Sequence, residues 1–207
     1  MNTSAVRVLS SVLGLPCWEV RWDCQVGLDM NFGPPRLEIR EPRVSTANSP
    51  RVRAQFVRRG IHLHGSHWLV ISPRTWRLEL ADALVVRDSS SARRLDMAVA
   101  RLRGEILNGL IIDPRTSATT FHFDLGARII VRTQTAPAEP SEEELWSIHN
   151  RSRFVYVCRG GQYSTDAVER APTVFSPIGS AGDGPVIIAT DETVRLHLLG
   201  TLHPAAV

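Results

Sequence analysis

Lysine is missing from this chain: all 24 basic residues are arginine. The absence excludes Schiff-base and pyridoxal phosphate chemistry, Ser-Lys nucleophile pairs and the Walker-type P-loop, each of which needs a lysine amine. Codon preference in a GC-rich bacterial genome accounts for it, and selection against lysine-directed modification is the alternative. Cysteine is scarce. Cys17, Cys24 and Cys158 form an odd set with no C-x-x-C pair, which fits neither a disulfide framework nor a structural zinc site and points to free thiols in a reducing compartment. Long apolar runs are also lacking. No stretch approaches the roughly 20 residues of a spanning helix, and the run from Val8 to Cys17 is broken by Ser10, Ser11 and Gly14. Pro16 stands where a lipoprotein signal needs a small residue. These absences predict a cytoplasmic protein with no membrane association.

What is present suits one globular core. The chain has 207 residues, 43% of them hydrophobic and 22% charged, with a formal net charge of only +3. Alternation marks half-buried strands: Trp18, Val20 and Trp22; then Leu28, Met30 and Phe32; then Leu37 and Ile39, with Glu38 and Arg40 outward. Further strands are read at Val52, Ala54 and Phe56, at 68–71, 76–80, 106–112, 121–123, 129–131, 145–148 and 154–157. One amphipathic helix is central. Ser91 is its N-cap, Leu95, Val99 and Leu102 form its stripe, and Gly104 ends it.

The fold class is therefore α+β, a mostly antiparallel meander with one central amphipathic helix. Residues 1–178 form a single β-rich domain, and residues 179–207 a C-terminal hairpin extension, pairing 186–188 with 194–198 and packed on it. An internal echo links Leu28–Gly33 and Arg36–Arg40 to Phe121–Gly126 and Arg128–Arg132, as if two similar hairpin halves repeat one turn chemistry.

A set of motifs resembles a family of uncharacterised proteins from GC-rich, actinobacterial-like genomes. They are Trp18-x-Val20, Leu28-x-Met30-x-Phe32-Gly33-x-Pro35-x-Leu37, Arg40-Glu41-Pro42, Trp68-x-Val70, Trp76, Leu102-x-Gly104, Thr120-Phe-x-Phe123-Asp124-Leu125-Gly126, and Glu144-Leu-Trp146 leading to Gly161-x-Tyr163-Ser164. The resemblance covers about residues 13–178. Glu105 stands where the pattern has Gln, and the last thirty or so residues have no counterpart. It implies no activity, only an association with immunity or accessory proteins of toxin and defence systems.

No constellation carries a complete catalytic signature. His62, His64 and His67 are the metal candidates: alternation puts the first two on one face and a turn at Gly65 brings the third round, giving three imidazoles for a divalent ion. A solvated strand end explains the same cluster, and no cofactor is otherwise implied. Arg51, Arg53, Arg58 and Arg59 are the anion- or partner-binding candidates, with Arg51 and Arg53 sharing a strand face; a solvated edge strand is the plainer reading. Asp124 is a turn residue or a catalytic acid, and Asn31 in the matching place favours the turn. Gly160–Ser164 lacks the spacing of a nucleophile elbow. The leading function is a non-enzymatic protein-binding module, immunity-like or accessory, acting through its sheet face or edge on a protein partner. The alternatives are a small metal-dependent enzyme or ligand-binding protein built on the histidines and, third, nucleic-acid binding through the arginines, against which the scattered positive charge counts.

Overall fold

The computed structural model describes the chain except for residues 26, 45, 47, 74–75, 133–143, 151–152, 159–160, 168–174, 180–183, 192–193, 196–197 and 199–207, and at 51, 52, 55, 156, 158, 166 and 167 it describes the backbone alone. The chain begins with helix α1 (Thr3–Ser10), then strands β1 (Cys17–Asp23), β2 (Gly27–Phe32) and β3 (Arg36–Arg40), helix α2 (Pro50–Phe56), and strands β4 (Gly60–His64), β5 (His67–Ile71), β6 (Trp76–Glu79) and β7 (Val85–Arg87). Helix α3 (Ala92–Val99) follows, extended by a 3-10 turn at Ala100–Leu102. The remaining strands are β8 (Leu107–Ile112), β9 (Thr119–Phe123), β10 (Arg128–Val131), β11 (Glu144–His149), β12 (Arg153–Cys158), β13 (Gln162–Ala167), β14 (Ser176–Pro177) and β15 (Val186–Ala189).

Among the described residues every strand pairing is antiparallel. One sheet runs β1-β2-β5-β11-β12-β13-β14, a second runs β15-β8-β9-β10-β6-β7, and β3 and β4 form a separate two-stranded pair. The inward residues of the two large sheets form a single core, with Met30, Phe32, Leu69 and Ile148 from one and Leu110, Phe121, Ile129 and Leu78 from the other. Trp146 ties the sheets together. It is fully buried, meets Phe121 edge-on at 5.3 Å, and donates its indole N–H to Thr119 Oγ1 at 2.8 Å. Helix α1 packs on β11, β12 and β15, and α3 on β1 and β7, so each helix bridges the two sheets and α3 covers an edge strand of both.

The antiparallel, β-rich architecture matches the α+β expectation, but several finer readings are corrected. The central helix is present, with Leu95, Val99 and Leu102 buried and Gly104 at φ +92°, although Ser91 makes no side-chain cap bond. It is not the one helix, since Thr3–Ser10 is helical, capped by Asn2, and buries Ala5, Val8 and Leu9. Residues 50–56 form a helix rather than a strand, with Pro50 in its first turn, where a missing N–H costs nothing.

The meander breaks after β2, whose second neighbour is β5 and not β3. The two halves of the echo therefore differ: β9 and β10 form a hairpin, whereas β2 and β3 do not pair. Gly33 and Gly126 do share a left-handed backbone, at φ +69° and +92°, which accounts for the likeness of the turns. In the C-terminal segment, β15 pairs with β8, and Val194 and Arg195 take a helical turn capped by Asp191 rather than a returning strand.

Candidate functional site

Residues 36–64 leave the first sheet between β2 and β5 and come back to it. The exit is the turn at Gly33, and the return is Gly65, where the backbones crowd: a Cβ there would stand 2.4 Å from the carbonyl oxygen of Phe32. Asn31, 3% exposed on the outer face of the sheet, secures this return. Its Oδ1 accepts the Gly65 N–H at 2.9 Å, and its Nδ2 donates to Glu19 Oε2 at 3.1 Å.

Between exit and return, β3 and β4 form a two-stranded ribbon with Leu37 opposite Leu63 and Ile39 opposite Ile61. These four aliphatic side chains share one face. They are exposed by 62, 51, 53 and 66%, respectively. The other face carries Arg36, Glu38, His62 and His64, and of these Arg36, Glu38 and His64 are half-buried. The usual amphipathic order is inverted, with apolar groups facing water and charged groups turned toward protein. Isolated exposed aliphatics are ordinary on a protein surface, but a contiguous set on one strand pair is informative.

The charged face rests on an aromatic column. His62 stacks on His64 at 6.0 Å between ring centroids, and His64 lies 5.5 Å from Trp68. Trp68 is 5.2 Å from His149, and His149 is 5.7 Å from Phe154. Trp68 Nε1 donates to Asp29 Oδ1 at 2.6 Å, and His149 Nε2 lies 3.0 Å from Ser147 Oγ. Glu38 accepts from Arg40 Nε at 2.8 Å and stands 3.3 Å from His64 Nε2. The Arg40 hydrogen bond holds the Glu38 carboxyl below its ordinary range. Burial lowers the affinity of His64 and His149 for a proton, and burial raises that of Asp29 despite its bond from Trp68.

Of the three predicted metal ligands, the structure brings together His62 and His64 but not His67. Gly65 does not bring the third imidazole round: the alternation is kept, so His64 and Trp68 share one side and His67 falls on the other, facing the end of α1, with Nε2 2.8 Å from Ser11 Oγ and Nδ1 3.1 Å from Ser66 Oγ. Among the described residues no group of three or more His, Cys, Asp or Glu is placed to hold a metal ion. The arginine candidates separate as well. Residues 51 and 53 lie on helix α2 and not on a strand, so the two-residue period that would pair them does not apply. Arg59 is held in a two-toothed pair with Glu41 at 2.9 to 3.1 Å, and Arg53 and Arg58 are exposed.

Asp124 accepts the Ile106 N–H at 2.8 Å, a bracing contact at the β9–β10 turn. Asn31 does not play that part, being the sheet-to-ribbon tether. Ser164 lies in β13, 3% exposed. Cys17 is fully buried, its thiol pushed up to about 12 by burial, whereas Cys24 is exposed.

Sequence reasoning nominated neither the aliphatic face nor His149. The signal for the first was there, since Leu37, Ile39, Ile61 and Leu63 alternate strictly with polar residues on two facing strands. His149 carries no local signal, because its contact with Trp68 is made across strands far apart in the chain.

Two clefts lie elsewhere. One of about 370 Å³ between β1 and α3 is lined by Trp22, Arg21, Asp96 and Arg103; another of about 430 Å³ lies beside Ile111, Pro114, Thr120 and Ile130. Neither gathers a set of reactive groups. Among the described residues no helix is long and apolar enough to cross a membrane. No family model, no curated protein and no solved structure matches the chain.

Proposed function

We propose that this chain is a non-enzymatic protein-binding module whose docking surface is the aliphatic face of the β3–β4 ribbon. The observation that carries the reading is the exposure, by half to two-thirds, of four large aliphatic side chains on one flat face. Folding does not call for them there, because each would be better satisfied inside. A partner that covers them removes that apolar surface from water at the moment of binding. An immunity-like or accessory role in a bacterial toxin or defence system is the setting that the resemblance implies for such a module.

The histidine-based alternative draws less support from the geometry, since His67 is turned away from His62 and His64 and both its ring nitrogens are already engaged. The test is gentle purification of the tagged chain from its own host, with mass spectrometry of what accompanies it, in parallel with Leu37→Ser/Ile61→Ser. A stoichiometric protein that accompanies the native chain and is lost from the variant is the expected result. A correctly folded variant that retains the same partner, or a native chain that comes out alone, rejects the reading.

A further inference from the structure

The charge of the chain is not spread evenly. Seven of the 24 arginines and only two of the 21 acidic residues fall in residues 36–64, so this excursion carries +5 while the rest of the chain carries −2. Its two glutamates are already spoken for, Glu38 by Arg40 and Glu41 by Arg59. The Arg43 guanidinium lies 4.5 Å over the Phe56 ring. Arg53 and Arg58 are exposed on the helix and on the turn that follows it. The segment with the aliphatic face thus carries a net positive charge while the remainder of the chain is net negative.

That pairing of features selects among occupants. A second copy would set +5 against +5, and like charges brought together oppose association. Single-stranded nucleic acid answers the arginines but is gripped by aromatic stacking, and the only aromatic residues in 36–64 apart from histidine are Phe56, already under Arg43. A membrane surface is usually met by interfacial Trp and Tyr, and the segment has neither. An acidic protein segment with its own aliphatic side chains answers both features at once. We infer that the ribbon takes such a partner, in which aliphatic residues cover Leu37, Ile39, Ile61 and Leu63 and flanking Asp or Glu meet the arginines. The inference rests on the proposed protein-binding role and adds the chemistry of the partner to it.

The test uses the full chain and four probes: a fluorescein-labelled peptide alternating Glu with Val and Ile, its counterpart with Lys in place of Glu, phosphatidylserine-containing vesicles, and a mixed-sequence single-stranded oligonucleotide. The expected result is binding of the acidic peptide alone, weakened by about tenfold between low and high salt as exposed charges are screened. Leu37→Ser/Ile61→Ser and, separately, Arg53→Glu/Arg58→Glu each weaken it by about tenfold or more, with unchanged circular dichroism. Equal binding of the lysine peptide, indifference to the arginine reversals, or failure of the acidic peptide at low salt overturns the inference. Vesicle or oligonucleotide binding in its place assigns the surface to membrane or nucleic acid. If the co-purifying protein is lost on Leu37→Ser/Ile61→Ser while the acidic peptide never binds, docking on the ribbon stands and the acidic character of the partner falls. If the partner survives that substitution, the docking role itself falls.

Discussion

His64 and His149 show how burial on the outer face of a sheet shapes single residues. Both rings lie against Trp68, and burial lowers the proton affinity of both, as it does for His67 beside α1. The folded chain therefore binds fewer protons than the unfolded one around and below the ordinary histidine value of 6.5. Stability then rises with pH through that window, and acidification destabilises the fold. Asp29, whose affinity burial raises, acts in the opposite sense but in a lower window, above its ordinary 3.8. The expected outcome is a melting temperature that falls as pH is lowered from about 7.5 to about 5.5. His149→Phe, which keeps a ring between Trp68 and Phe154, should make the fall shallower. A melting temperature that is flat or rises across this range in the native chain would refute the account.

At the scale of elements, the junction between sheet and ribbon depends on a few atoms. The Asn31 side chain reaches both β1, through Glu19, and the returning backbone at Gly65. Asn31→Ala strips a buried backbone N–H of its acceptor, and leaving such a group unsatisfied costs about 1–3 kcal/mol. Chemical denaturation should show a loss of that size; a loss under about 0.5 kcal/mol, the range of ordinary surface substitutions, would mean the tether is not structural.

The same junction marks where sequence reading worked and where it stopped. Alternation located β1, β2, β5 and β8 through β12, because period-2 burial is written directly into Leu28, Met30 and Phe32 or into Trp146 and Ile148. It placed Leu37 and Ile39 on one face of a strand but turned that face inward, since periodicity says which residues share a side and not which side meets protein. The misreading of 50–56 has a similar cause. Val52, Ala54 and Phe56 alternate over five residues, too few to separate the two periods, while Pro50 after Ser49 was the better guide. The three histidines could converge only if a turn at Gly65 broke the alternation, but the backbone there runs close against Phe32 and the alternation is kept, which leaves His67 on the side away from His64 and Trp68.

For the molecule as a whole, the two large sheets and the ribbon are held together by different means. Among the described residues, the shared core passes from Phe32 directly to Leu69, and nothing between them belongs to it. The ribbon instead is tied down by the Gly65 return, by His64 against Trp68, and by the polar contacts of Glu38. Such contacts on a partly solvated surface contribute little compared with the burial of side chains like Trp146, Phe121 and Met30. Residues 37–63 are therefore expected to be dispensable for folding. Arg36 and His64 face each other across the ribbon, so a short Gly-containing turn can join them in place of what is removed. The shortened chain should unfold in one cooperative thermal transition within roughly 4 °C of the native chain, a shift of the order that 1 kcal/mol produces in a domain of this size. It should also lose whatever protein accompanies the native chain. Loss of cooperative unfolding would show that the excursion is part of the core architecture, and its exposed aliphatic face would then need an explanation in folding. Retention of the partner would move the docking surface onto the sheets.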